Sequence, residues 1–334
     1  MGWVRDFLRR EPGDCFFGPV PSLDATAPGT GGLPGTVVEP ESAYLALYVE
    51  SMRGGAVRIR GQAFYAAVTS TCSVQSRSEQ RTELLAVSTP ESLRGVDARH
   101  LDRVVVGTVP VIDAVPYRGG GLEAEIGMFA FPADYLVGPY LDLLGDIAAV
   151  TCAFLPPTRA LAATALSIPV RKGLDLLFGA ATGARLEVGL AHAWTAPATG
   201  YYAVVRAPEP PGGFRIRAGR LLTAGGEVRD PHLVLRLDAQ RERHSWAEIP
   251  DIRAAYQVIA DAAARGDLVA AREALASFRR VAVFSPDLLA ADGLRLHAKV
   301  EEQVRLAFPA TGTSGDASPR GLLDLAGIQL YDKP

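Results

Sequence analysis

Apolar and polar residues alternate with a period of two through much of the chain up to about position 245, and with a helical period beyond it. The clearest strand signal is 122–131. There Leu122, Ala124, Ile126 and Met128 share one face, and Glu123, Glu125 and Gly127 share the other. Similar short runs occupy 44–49, 56–60, 63–74, 84–88, 104–106 and 109–115 before it. After it come 184–194, 201–206, 214–217, 221–223 and 233–238. Gly219 marks a turn, and Gly225-Gly226 is a hairpin signal. Short strands at this spacing predict a β-sandwich or an open barrel.

The period changes at two places. Over 133–150 and 158–178 the apolar residues recur at helical spacing, with Pro139 and Pro169 as breaks and Gly179 as a stop. This predicts a helical hairpin, about 133–179, inserted between two β-rich stretches. The end of the chain predicts three helices, at 251–264, 268–282 and 287–307, the last with Pro286 at its start. The expected fold class is therefore α+β: an antiparallel β-sandwich-like core with an inserted helical hairpin and a C-terminal helical subdomain. One sandwich is favoured over two smaller β layers, because each half alone would leave strand edges exposed.

The expected organisation has four parts. Residues 1–40 form an extended, Pro- and Gly-rich arm, with a short amphipathic helix over 1–10 and an apolar anchor at Cys15, Phe16 and Phe17. Residues 41–245 form the sandwich domain and 246–308 the helical subdomain. Residues 309–334 are a tether ending in the apolar segment GLLDLAGIQLY.

Composition narrows the class. Of 334 residues 48% are hydrophobic and 21% charged, enough to bury a core and unlike a disordered chain. A net charge of -3 gives no electrostatic footprint for nucleic acid or for an anionic membrane. Lys172, Lys299 and Lys333 are the lysines, so 34 − 3 leaves 31 arginines, a bias that fits a GC-rich bacterial genome. Cys15, Cys72 and Cys152 are too few and too far apart for a disulfide scaffold or a zinc site. The charged start MGWVRDFLRR is unlike a signal peptide, and no segment reads as a transmembrane helix, so a cytoplasmic location is expected.

Candidate chemistry is sparse. His100, His192, His232, His244 and His297 form no HxH, HxxxH or HExxH pair, so no metal site is expected. His192 reads as a core histidine, and His232 and His244 as turn residues. Cys72 and Cys152 read as small buried apolar residues rather than nucleophiles. Glu123 and Glu125 read as a polar sheet face that pairs with arginines such as Arg185. Gly119-Gly120-Gly121 lacks the GKS or GKT ending of a phosphate loop and reads as a hairpin or bulge. The densest polar cluster is Asp97, His100 and Asp102 with Arg99 and Arg103, which holds the residue types of a general acid–base site or of a solvated helical turn. No motif calls for a cofactor or identifies a small-molecule ligand.

The tethered apolar ends carry the most information. Trp3, Phe7, Phe16 and Phe17 at one end, and Leu322, Leu323, Leu325, Ile328, Leu330 and Tyr331 at the other, are expected to dock on a protein partner or a second copy. The resulting expectation is a non-enzymatic structural or adaptor subunit of a bacterial intracellular protein assembly. Two alternatives stand beside it: a membrane-active effector inserting 134–182, and a hydrolase-type enzyme using Asp97, His100 and Asp102.

Overall fold

The computed structural model describes residues 15–24, 35–54, 58–59, 62–75, 81–87, 105–132, 185–308, 322 and 324–331. The 133–179 stretch expected to form the helical hairpin lies outside the described residues, as do 1–14 of the arm. Among the described residues, thirteen strands form three sheets. The first sheet has the order β1 (Phe16–Val20), β9 (Gly200–Val205), β13 (His232–Gln240), β2 (Tyr44–Arg53), β6 (Val105–Pro116). The second runs β3 (Arg58–Ile59), β4 (Gln62–Gln75), β7 (Leu122–Pro132), β8 (Arg185–Trp194), with β5 (Arg81–Val87) also paired to β4. A small third sheet holds β10 (Arg215–Arg217), β11 (Arg220–Thr223) and β12 (Gly226–Glu227). All of these strand pairs are antiparallel. Both large sheets mix strands from before and after 133–184, so the chain builds one sandwich rather than two separate layers.

The alternation read in the sequence places the core. Leu45, Leu47 and Val49 of β2, Leu233, Leu235 and Leu237 of β13, and Val204 of β9 pack from one sheet. Val68 and Cys72 of β4, Leu122, Ile126 and Met128 of β7, and Val188 and Leu190 of β8 meet them from the other. The opposite face of the first sheet is covered too. Val20, Ala203, Val205 and Val234 pack with Phe214, Ile216, Leu221 and Val228 around the small sheet.

Several local expectations change. Residues 16–20 are a strand within the expected arm, and its Pro19 is tolerated because β1 is an edge. The two runs 104–106 and 109–115 form one edge strand, β6, whose bulges against β2 break the alternation. The triple glycine is neither hairpin nor bulge. It is the corner where the chain leaves β6 in one sheet and enters β7 in the other, with Gly119 and Gly120 at φ of 92° and 75°. Arg185 registers with Ala130, not with Glu123 or Glu125, which face Ala193 and Ala191. His232 opens β13 fully buried, its Nδ1 2.8 Å from the Asp230 carbonyl, rather than sitting in a turn.

Three helices follow: α1 (Pro250–Ala264), α2 (Leu268–Phe284) and α3 (Ala290–Ala307). Pro250 occupies the first turn of α1, where its missing N–H is not needed. Gly266, at φ 71°, ends α1, and Asp267 caps α2 by accepting from the Ala270 N–H at 3.0 Å. Ile252, Tyr256, Ile259, Leu275, Phe278, Leu296 and Val300 form their common core. Ser285-Pro286-Asp287 does not open the last helix, as the sequence suggests. α2 runs on to Phe284, and Pro286 lies in the link to α3, which starts at Ala290. Gly293 of α3 sits so close to α2 that a Cβ there would meet the Ala282 carbonyl oxygen.

Candidate functional site

The residues expected to dock on a partner have two fates. Trp3, Phe7 and Leu323 lie outside the described residues, as do Asp97, His100, Asp102 and Cys152. The others serve the chain's own cores. Phe16 packs on Phe214 at 4.9 Å between ring centroids, and Phe17 lies 4.6 Å from His192 and 6.0 Å from Tyr202. Leu325, Ile328 and Leu330 are buried in the helical core, with Leu322 and Tyr331 packed against it. The physical reason is proximity. These apolar residues cover the nearest open edge and helix face of their own molecule, which removes their surface from water without the entropy cost of association.

Tyr331 completes a buried joint between sandwich and helices. Asp292 of α3 accepts from Tyr44 Oη of β2 at 2.6 Å and from Tyr331 Oη at 2.8 Å, while Arg295 reaches its other oxygen at 2.9 Å. Tyr44 Oη in turn accepts from the Leu289 N–H, and Tyr331 Oη from the Arg243 N–H. Burial and the neighbouring Tyr331 and Asp292 hold the Tyr44 hydroxyl far above the usual phenol range. Arg118, on the glycine corner, donates to the Leu288 carbonyl at 2.6 Å and pairs with Glu41 at 2.9 Å. Arg243 is buried and donates to the Asp287 carbonyl; burial lowers its pKa and Asp287 opposes the shift.

A second polar cluster lies on the outward face of the first sheet. Arg236 bridges Glu50 at 3.1 Å and Asp238 at 2.7 Å, and its guanidinium lies 4.7 Å from the centre of the Tyr48 ring. Asp238 is 1% exposed, and its Oδ1 has no hydrogen-bond partner among the described residues. Burial pushes its carboxyl up to about 6, opposed by Arg236 and reinforced by Glu50. Burial likewise pushes Tyr48 up to about 12 and raises Asp113, which accepts from Tyr48 Oη at 3.4 Å. This cluster ties β2, β6 and β13 together. Cys72 sits in the sandwich core, where burial alone raises its thiol far out of the nucleophilic range.

A cavity lies elsewhere, between α2 and α3, with a volume of about 940 Å³. Leu275, Leu294, Val304 and Phe308 supply apolar walls. Arg272, Arg279, Arg280 and Arg305 stand at its sides against a single acidic wall residue, Glu301. Leu294 is 49% exposed although it is a leucine. Helical spacing makes this surface. Leu268, Arg272, Leu275, Arg279 and Val283 recur at intervals of three and four, so they form one stripe along α2. That stripe is readable in the sequence as basic residues interleaved with apolar ones, a signal masked by the stronger Ala271, Leu275, Phe278 and Ala282 stripe that faces the core and shares Leu275 with it.

Among the described residues no group of His, Cys, Asp and Glu is placed to hold a metal ion, and no helix is long and apolar enough to cross a membrane. Compared with known proteins, the chain matches no family model, no curated protein and no solved structure.

Proposed function

We propose that the chain works by protein–protein association, as a structural or adaptor subunit of an intracellular bacterial assembly, and that the cleft between α2 and α3 is its docking face. One observation carries the reading: a concave surface with apolar walls and arginine sides, on helices whose opposite faces already fill a core. Leu294 lies on the face of α3 turned away from the buried Leu296 and Val300, exposed among the walls of the cleft. Leu325, Ile328 and Leu330 of the tail pack in the same helical core as α2 and α3, so the tail covers its own body and leaves the cleft as the candidate docking face.

The test is site-specific photocrosslinking in the organism that makes the chain. A photoreactive residue replaces Leu294, and in a second strain Val258, which is 57% exposed on α1 and outside the cleft. The expected result is one adduct of defined mass from position 294 and none from 258. Equal labelling at the two positions, or none at either, refutes the reading.

A further inference from the structure

Resting on that reading, we infer that the cleft takes an acidic amphipathic α-helix of a protein partner. The walls run from Leu268 to Phe284, the whole 17-residue length of α2. That is about 25 Å of helix axis, at about 1.5 Å per residue. A third helix of about four turns can lie along α2 and α3 in that length. An extended peptide fits the same walls badly. Its backbone N–H and C=O groups would face Leu275, Leu294 and Val304 with nothing to bond to, whereas a helix satisfies its own. Two packed helices leave a groove between their side-chain ridges, which a third helix fills at ordinary interhelical distance.

Charge selects which helix. The cleft shows four arginines, Arg272, Arg279, Arg280 and Arg305, against Glu301, although the whole chain carries -3. Arg305 is held by Glu302 at 2.6 Å, so Arg272, Arg279 and Arg280 are the side chains best placed to reach an incoming carboxylate. All three are exposed on α2 at relative positions i, i+7 and i+8, one side of the cleft. The partner helix therefore presents leucine-like anchors at i, i+3 or i+4, and i+7, flanked by Asp or Glu on the edge that meets α2. An anionic bilayer offers the same two chemistries, but a concave cleft between helices cannot lie flat on it.

The probe is a displayed library of amphipathic helices of about four turns, with fixed leucine anchors and flanking positions randomised among Asp, Glu, Lys, Arg, Ser and Gln. Selection is made on the full chain. The expected outcome is enrichment of Asp and Glu over Lys and Arg on one flank. The best selected peptide should then bind about tenfold more weakly to the Arg272→Glu/Arg279→Glu variant, and about tenfold more weakly to Leu294→Asp. Both variants change exposed side chains and should keep the native circular dichroism. Enrichment of basic flanks, no enrichment, or equal binding by the variants overturns the inference. So does flotation of the chain with vesicles of phosphatidylserine and phosphatidylcholine that is lost in the same variants. Failure here together with a discrete adduct from position 294 leaves the association reading standing and removes only the acidic helix.

Discussion

The β2–β13 pair and the α2–α3 pair treat their outer faces in opposite ways. Leu47 and Leu235 point into the sandwich, while on the other side Val234 meets the small sheet and Tyr44 meets the start of α3. Even the charges of that outer face, Glu50, Arg236 and Asp238, are paired with one another. In α2 and α3 one face is buried through Phe278 and Val300, and the other keeps Leu294, Arg272, Arg279 and Arg280 in solvent. A strand pair covered on both faces is architecture. A helix pair covered on one face, with leucine and arginine on the bare side, has the uncovered surface that the proposed partner would take.

The sharpest way to break this contrast is to truncate one leucine from each region. Leu235→Ala, fully buried between the sheets, should cost about 4 kcal/mol in chemical denaturation. Leu294→Ala should cost less than about 0.5 kcal/mol. Similar losses for the two leucines would place Leu294 in a core and remove the contrast.

Next in size is the spacing of the helix pair itself. Gly293→Ala puts a methyl group against the Ala282 carbonyl, so α2 and α3 must move apart. The expected cost is about 3 kcal/mol, read by the same titration. An unchanged midpoint would show that the two helices do not approach so closely.

Asp292→Ala should cost about 2 kcal/mol, because it leaves the Tyr44 and Tyr331 hydroxyls buried without their acceptor. Trp194 in the sandwich core and Trp246 in the helical core report on each region in two backgrounds that each keep one of them as the single tryptophan. In the parent the two signals should fall in one transition. In Asp292→Ala they should separate, since the joint that couples the regions is cut. Coincident transitions in the variant would assign the coupling to other contacts, Arg118 first among them.

A further effect concerns pH and belongs to the sandwich side alone. Asp238 has a folded pKa of about 6 against an ordinary value of 3.8, so the folded chain holds its proton more tightly than the unfolded one. For this group stability is greatest at low pH and declines as pH rises from about 4 to about 6, since the buried carboxylate must then carry charge. Comparing Asp238→Asn with the parent across that window should show this declining component in the parent and its loss in the variant. Identical profiles would mean that Asp238 titrates normally.

What can be read from the sequence is what local interactions decide. The alternation of Leu122, Ala124, Ile126 and Met128 and the helical recurrence of Ile252, Tyr256 and Ile259 mark strand and helix correctly, because one core face dictates one period. β1 is hidden because Gly18 and Pro19 mark a loop by composition, while its strand character comes from pairing with β9, far away in the chain. The triple glycine misleads for a related reason: glycines mark a turn but not whether the next strand stays in the same sheet. The apolar ends are visible in the sequence. Whether Phe17, Leu325, Ile328 and Leu330 cover their own body depends on distances that no sequence period carries. The arginine stripe of α2 is equally present as Arg272, Arg279 and Arg280, yet it gains meaning only when α3 brings Leu294 and Phe308 across from it.

The most direct test of the central claim, that the cleft between α2 and α3 is where this chain meets its partner, is the mass of the complex purified from its own cells. The chain alone weighs 35.4 kDa. Light scattering after gel filtration should give a larger mass for the parent, and 35.4 kDa with native circular dichroism for Leu294→Asp. The same assembly mass for both proteins would contradict it.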